Sequence, residues 1–175
     1  MPPRAILIGL PGVGKSTVGA RLAQRLSVPF ADSDRLITER TGREVAEIFS
    51  ADGEAGFREL EAASIAAALV DFDGVLALGG GAVTTGSVRQ ALAGAGVPVV
   101  LLTASEPELL RRIGRSQHRP LLAGDPAGRL AELARSRSAL YQQVATVTVA
   151  TGGQSADAVA RTLQQQLTSP QEGAR

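Results

Sequence analysis

The segment 9–17, with the sequence GLPGVGKST, contains the single lysine among the 18 Lys and Arg residues of this chain. Its spacing matches G-x-x-x-x-G-K-[ST], placed between an apolar run and an amphipathic stretch. Glycines let backbone N–H groups turn toward phosphate oxygens, and the helix that follows adds its own unpaired donors. A compact ammonium follows phosphates as a point charge, whereas a guanidinium imposes a planar fork. The pattern therefore predicts a nucleoside triphosphate site. The predicted phosphate-binding residues are Gly12, Val13, Gly14, Lys15, Ser16 and Thr17.

Two acids follow the second apolar run, in the tetrapeptide ADSD at positions 31–34. In an extended segment Asp32 and Asp34 point the same way, so one could serve a metal shell and the other an acceptor hydroxyl. The Ser16 hydroxyl is an oxygen ligand suited to phosphate-bound Mg²⁺. Helix capping by Ser33 or Asp34 explains the same residues equally well, so both interpretations stay open.

Three further segments carry residues that either bind a ligand or serve the fold. Arg58 and Glu61 are three apart on a predicted helix, which also fits a solvated ion pair. Arg137, in the segment RSALY, also fits a solvated helix face. The segment LGGGAV at 78–83 lets backbone approach a ligand closely, or it forms a flexible connection. Its three glycines are Gly79, Gly80 and Gly81.

The segment 114–128 mixes Gly, Pro and Arg between two helical stretches. Connections of that length are usually functional or mobile. Arg119 in this segment either reaches over phosphate or is solvated charge. The neighbouring His118 is more simply explained without chemistry.

The elements that must position these residues follow from the hydrophobic pattern. Short apolar runs predict strands buried on both faces, and stretches with helical spacing lie between them. This alternation predicts a parallel α/β sheet with right-handed crossovers. The predicted strands are 4–10, 28–34, 74–80, 97–104 and 144–151. The predicted helices are 16–26, 33–40, 45–49, 53–70, 87–95, 106–113, 128–143 and 155–167.

Composition limits the function classes. A chain of 175 residues predicts one domain, and its few aromatics predict a core of Ala, Val, Leu and Ile. A net charge of +1 argues against a nucleic-acid surface, and the lack of cysteine excludes disulfides and thiolate metal sites. With neither a signal peptide nor a run long enough to span a membrane, we expect a soluble, cytoplasmic monomer without membrane partners.

Taken in order, the segments GLPGVGKST, DSD, DGEAGFRELE, LGGGAV, RPLLAG and RSALY resemble the shikimate kinase family over nearly the whole chain. The resemblance implies a P-loop, nucleoside-monophosphate-kinase-like α/β/α fold with a five-stranded parallel sheet. It implies a helical substrate-binding insert at 33–70 and a lid at 114–126 within one domain, 1–168, and we expect 169–175 to be a disordered tail. The implied activity transfers the γ-phosphate of ATP to the 3-hydroxyl of shikimate.

The resemblance also implies residue roles. Lys15 and the loop amides would bind the β- and γ-phosphates, and Ser16 and Asp32 would hold Mg²⁺. Asp34 would accept the acceptor's proton, and Arg119 would cover the transferring phosphoryl group. The acceptor-binding set would be Asp34, Arg58, Gly79, Gly80, Gly81 and Arg137, and the nucleotide-side set also includes Arg112 and Gln154.

One departure affects the nucleotide side. Gly152, Gly153 and Gln154 stand where some family members place arginines, so ATP affinity is the property most exposed to this change. The alternatives are a gluconate or nucleoside monophosphate kinase of the same fold, a GTP-driven switch, and a silent nucleotide-binding module. The switch lacks support because the chain has no N-K-x-D motif.

Overall fold

The architecture comes from a computed structural model that describes residues 1–114 and 124–168. Five parallel strands form one sheet in the order β2-β3-β1-β4-β5. This confirms the predicted parallel sheet, although each strand is shorter than its apolar run. Apolar residues continue beyond the ladders, as at buried Leu78. The strands are β1 (Ala5–Ile8), β2 (Phe30–Asp32), β3 (Val75–Ala77), β4 (Val99–Thr103) and β5 (Val147–Ala150).

Helices connect the strands at nearly all the predicted positions, and a short 3₁₀ turn, Ala82–Thr84, precedes the fourth helix. The helices are α1 (Lys15–Leu26), α2 (Ser33–Thr41), α3 (Val45–Asp71), α4 (Gly86–Gly94), α5 (Glu106–Gly114), α6 (Pro126–Val144) and α7 (Ala156–Thr168).

The segment between β2 and β3 agrees with the prediction in one respect and differs in another. The two predicted helices, 45–49 and 53–70, are present as two helical segments of α3 that meet at a kink, where Gly53 is non-helical (φ 71°, ψ −176°). The extended geometry expected for 32–34 is wrong, because β2 ends at Asp32 and α2 begins at Ser33. Neither Ser33 nor Asp34 is the N-cap: the Asp32 carboxylate caps the helix by accepting from the Asp34 N–H at 3.1 Å.

The core lies on both faces of the sheet, as a bare apolar strand pattern predicts. On one face, Ala5 and Leu7 of β1 pack in a cluster with residues of α1 and α7. On the other, Ile6 and Ile8 pack in a cluster with residues of α3, α4 and α6. Strand side chains alternate between faces, so one strand supplies both clusters and the fold has three layers.

A smaller apolar cluster belongs to the helices between β2 and β3. Ile37 of α2 packs with Ile48 and Phe57 of α3, and all three are buried. The chain from 33 to 74, all of it described, contains no strand, and its helices α2 and α3 follow the carboxyl end of β2. In the described ranges 1–114 and 124–168, no helix is long and apolar enough to cross a membrane.

Candidate active site

The phosphate loop, residues 9–16, connects β1 to α1. Gly9, Gly12 and Gly14 have φ values of 143°, 83° and 104°, which side chains rarely tolerate. Gly14 directly precedes α1, so the loop N–H groups lie at a helix N-terminus. The Lys15 ammonium donates to the carbonyls of Gly9 at 2.8 Å and Leu10 at 3.1 Å. The loop therefore wraps around its own lysine.

A cavity of about 390 Å³ opens beside this loop. The loop and the first turns of α1 form one wall, and the opposite wall comes from α5, α7 and the β5–α7 loop, residues 151–155. All the residues predicted for the nucleotide side that the structure describes lie in this lining. The lining residues are Gly12, Val13, Gly14, Lys15, Ser16, Thr17, Val18, Arg112, Thr151, Gln154, Ala156 and Val159.

Ser16 and Asp32 meet at the end of the phosphate loop. The Ser16 hydroxyl donates to Asp32 Oδ2 at 2.9 Å, joining the start of α1 to the end of β2. A hydroxyl and a carboxylate are the hard oxygen donors that Mg²⁺ prefers. Among residues 1–114 and 124–168 no cluster of three or more His, Cys, Asp or Glu side chains could hold a metal. The pair fits Mg²⁺ bound chiefly through substrate phosphates and water.

Arg58 and Glu61 form an ion pair that is withdrawn from solvent. Arg58 Nη1 donates to Glu61 Oε2 at 2.6 Å, and the Glu61 side chain is only 1% exposed. The interpretation as a solvated surface pair is therefore wrong. Arg58 Nε and Glu61 Oε1 are buried without a hydrogen-bond partner in the described structure. Buried polar atoms are rarely left unpaired, so these two atoms distinguish the pair from an ordinary structural ion pair.

Asp34 lies near this ion pair on the first turn of α2. Burial raises the pKa of Asp34, and the Asp32 charge raises it further, against the opposing charges of Lys15 and Arg58. Burial also raises the pKa of Glu61, with Arg58 acting in the opposite direction. A carboxyl group with a raised pKa in a cleft is suited to proton transfer.

The triglycine loop, residues 79–81, brings these side chains together. A Cβ at Gly79 would lie 3.1 Å from Asp34 Oδ1 and 3.0 Å from Glu61 Oε1. A Cβ at Gly81 would overlap Arg58 Nη2, so a side chain there would displace the Arg58 guanidinium from its present position. The triglycine loop is therefore packed against these side chains, as expected for backbone that approaches a ligand closely.

Gly80 connects the triglycine loop to the other two parts of the site. A Cβ there would lie 3.5 Å from Arg137 Nη1 and 3.3 Å from the Pro11 ring of the phosphate loop. Arg137 consequently faces the loop, and its charge acts on both Glu61 and Tyr141. The predicted acceptor residues and the phosphate loop form one continuous site.

Two buried hydroxyl groups that the sequence analysis missed hold the triglycine loop. Ser33 Oγ accepts from the Gly79 N–H at 2.8 Å, and the Tyr141 hydroxyl donates to the Gly80 carbonyl at 2.6 Å. Burial raises the pKa of Tyr141 to about 12, so this hydroxyl keeps its proton. Tyr141 lies one helical turn after Arg137, and this spacing was the available signal.

Arg112 and Gln154 lie on the nucleotide side. Arg112 Nη1 donates to the Val13 carbonyl at 3.1 Å, and Gln154 Nε2 donates to the Ala150 carbonyl at 2.9 Å. Arg119, His118 and most of the predicted lid 114–126 lie outside the described residues, as does the predicted tail 169–175. Their roles stay predictions of the sequence.

Comparison with known proteins shows the family of this chain. A model of the shikimate kinase family matches residues 11–168. The shikimate kinase of Mycobacterium avium is 52% identical over 162 residues, which are 92% of this chain and 91% of the relative. That of Mycobacterium tuberculosis is 50% identical over 177 residues and 99% of both chains.

Solved structures give the same result. Shikimate kinase from Acinetobacter baumannii in complex with shikimate superposes with a TM-score of 0.90 at 35% identity, covering 99% of this chain and 96% of that one. A gluconokinase from Sinorhizobium meliloti reaches a TM-score of 0.67 at 23% identity, covering 95% and 91%, and shares the fold alone. On the family match, these identities and the P-loop α/β/α fold, the chain belongs to the shikimate kinase family.

Proposed function

We propose that the protein transfers the γ-phosphate of Mg-ATP to the 3-hydroxyl of shikimate, giving shikimate 3-phosphate and ADP. The observation that carries this proposal is the continuity of the two half-sites. The triglycine loop lies beside Pro11 of the phosphate loop on one side and beside the side chains of Arg58, Arg137 and Asp34 on the others, since all four would be within about 3.5 Å of a Cβ built on its glycines. Family membership supports the same activity.

Arg58 and Arg137 suit the acceptor's carboxylate. Charge-assisted hydrogen bonds from two guanidinium groups would fix the orientation of a carboxylate as well as its affinity. The Arg58 side chain is 18% exposed and lies beside the triglycine loop, so its guanidinium is not sealed from a ligand there. A neutral sugar or a nucleobase would accept hydrogen bonds from these groups but would lack the negative charge that a carboxylate offers to the two arginines.

Asp34 is the proton acceptor in this mechanism. As the acceptor oxygen forms a bond to the γ-phosphorus, the bond from that phosphorus to the β–γ bridging oxygen breaks and ADP leaves. The hydroxyl proton passes to the Asp34 carboxylate. Burial and Asp32 raise the pKa of Asp34, which makes its carboxylate a stronger base than an exposed aspartate.

Lys15 and the phosphate loop supply positive charge and position. Phosphoryl transfer leaves little covalent work to the protein, so alignment and charge stabilisation dominate the rate. Lys15 would exchange its contacts with the carbonyls of Gly9 and Leu10 for phosphate oxygens. Ser16 and Asp32 would hold Mg²⁺, which supplies charge to the phosphate oxygens when bound.

The requirement for ATP suits a cytoplasmic enzyme, and we propose that the protein acts in the cytoplasm as a monomer.

The test is ADP release in a coupled assay with Mg²⁺ and ATP. Shikimate, gluconate, AMP, CMP and a reaction without acceptor are compared, and the phosphorylated product is identified by mass and by phosphorus resonance. Turnover with shikimate alone is expected. Turnover with gluconate or a nucleotide would keep the phosphate-loop assignment and overturn the roles of Arg58 and Arg137. GTP hydrolysis without an acceptor would point to a switch.

A further inference from the structure

Glu108 lies in the first turn of α5 and directs its carboxylate to the β5–α7 loop. Its side chain is 16% exposed, and its Oε1 accepts from Arg112 Nη2 at 2.5 Å. The backbone N–H of Gly153 lies near this carboxylate and helps to lower its pKa. Burial acts to raise the pKa of Glu108, but Arg112 and Gly153 outweigh it and hold that pKa below its ordinary value. The group is therefore charged at neutral pH.

The partner of Glu108, Arg112, connects the two walls of the nucleotide cavity. Arg112 Nη1 donates to the Val13 carbonyl at 3.1 Å and to Thr151 Oγ1 at 3.0 Å, and Nη2 donates to the Thr151 carbonyl at 3.0 Å. Val13 belongs to the phosphate loop and Thr151 begins the β5–α7 loop. The carbonyls carry no charge, so Glu108 supplies the nearby negative charge that a partly buried guanidinium needs.

Gly152 is what lets the carboxylate reach the loop. A Cβ at this position would lie 2.9 Å from Glu108 Oε2, closer than real Cβ contacts. The φ angle of Gly152 is outside the left-handed region, so contact with Glu108 is the constraint and backbone strain is not. Because Gly152 carries no side chain, the loop leaves room for the Glu108 carboxylate of α5.

We propose that Glu108 is a positioning residue for ATP, acting through Arg112 and the β5–α7 loop. This inference rests on the proposed function, because it assumes that ATP binds in this cavity. The carboxylate holds the guanidinium in place against the β5–α7 loop before the nucleotide arrives. ATP binding then avoids the entropy cost of ordering the cavity wall formed by Arg112 and the β5–α7 loop. This is the general benefit of preorganisation.

The test measures ATP binding directly, by calorimetric titration without acceptor, and steady-state kinetics separately. Glu108→Ala is expected to weaken ATP binding by about tenfold or more, as for the loss of hydrogen bonds to a charged group. The KM for shikimate should stay unchanged. Glu108→Gln keeps an acceptor for Arg112 without the charge, so its effect should be intermediate. The control, Glu106→Gln, removes an exposed acid from the same first turn and should bind ATP like the wild type.

A double-mutant cycle with Gly152→Ala separates this role from general damage. Gly152→Ala alone should weaken ATP binding, because its Cβ displaces the carboxylate. In the Glu108→Ala background the same change should add little, which gives a measurable coupling between the positions.

Three outcomes would overturn the proposal. They are ATP binding by Glu108→Ala within about twofold of the wild type, tighter binding through a released Arg112, and additive effects in the cycle. A wild-type protein that binds ATP but does not phosphorylate shikimate would refute the proposed function alone, and the cycle would still decide the role of Glu108.

Discussion

At the scale of single residues, Asp34 is distinguished by its surroundings. It faces Lys15 and Arg58, yet burial and Asp32 raise its pKa. We predict that Asp34→Asn lowers kcat by about 100-fold or more, the contribution expected of a general base, while ATP affinity is retained. Steady-state kinetics and ATP titration measure the two quantities. Asp71→Asn, at the exposed end of α3, is the control. If Asp34→Asn kept more than about a tenth of the wild-type kcat, Asp34 would not be the general base.

Arg58 serves both the acceptor and a buried carboxylate. We predict that Arg58→Ala weakens shikimate binding by roughly 1.5–3 kcal/mol, the value of hydrogen bonds to charged groups. Stability should fall as well, because Glu61 would lose the hydrogen bond that pairs its buried charge. Shikimate titration and urea unfolding measure the two effects. Arg35→Ala, which removes an exposed pair with Glu39, should change neither. Unchanged shikimate affinity in Arg58→Ala would leave Arg58 with a structural role only.

At the scale of elements, α6 positions the triglycine loop through one hydroxyl. We predict that Tyr141→Phe raises the KM for shikimate several-fold without changing ATP affinity, because the partly buried Gly80 carbonyl loses its donor. Thr146→Val is a suitable control, since its hydroxyl also binds backbone, at Val99, but at the opposite ends of the strands. Equal effects of the two variants on the KM for shikimate would argue against a positioning role for Tyr141.

The kink in α3 depends on the backbone freedom of glycine. Gly53 has φ 71° and ψ −176°, a region that only glycine occupies readily, and nothing lies within 4 Å of a Cβ placed there. We predict that Gly53→Ala lowers the free energy of unfolding by about 1–3 kcal/mol through strain alone. Gly94→Ala, at a helical position with equal space, should raise it by about 0.4–1 kcal/mol. The midpoints of urea unfolding measure both changes, and equal midpoint shifts in the two variants would contradict the prediction.

At the scale of the whole molecule, the site makes stability depend on pH. Burial raises the pKa of Glu61 above its ordinary value of 4.5, and the Arg58 pair only partly opposes this. The folded state therefore binds this proton more tightly than the unfolded state. The contribution of Glu61 to the free energy of unfolding is therefore complete at pH values below its ordinary pKa. That contribution is lost as pH rises through the pKa of Glu61 in the folded state.

We predict that Glu61→Gln makes the free energy of unfolding decline less steeply as pH rises. The measurement is urea unfolding over a pH series from about 4 to about 8, with Glu39→Gln as the exposed control. An unchanged slope in Glu61→Gln would show that Glu61 does not titrate between those limits in the folded protein.

Much of the fold was predictable because its signals are local. Short apolar runs predicted all five strands, and helical spacing predicted the helices to within a few residues. The error at 32–34 has a physical cause. Helix capping depends on the backbone angles of single residues, whereas hydrophobic patterns report averages over a whole turn.

The sequence by itself determined the phosphate loop, because Gly9, Gly14, Lys15 and Ser16 are close along the chain and their chemistry needs only a strand and a helix on either side. Burial distinguishes an ion pair in a site from one on the surface, and burial is set by distant segments. Only the tertiary structure therefore decided that Glu61 is buried and that Tyr141 binds Gly80, 61 residues away. Those contacts form where packed layers bring the carboxyl ends of parallel strands to one edge of the sheet.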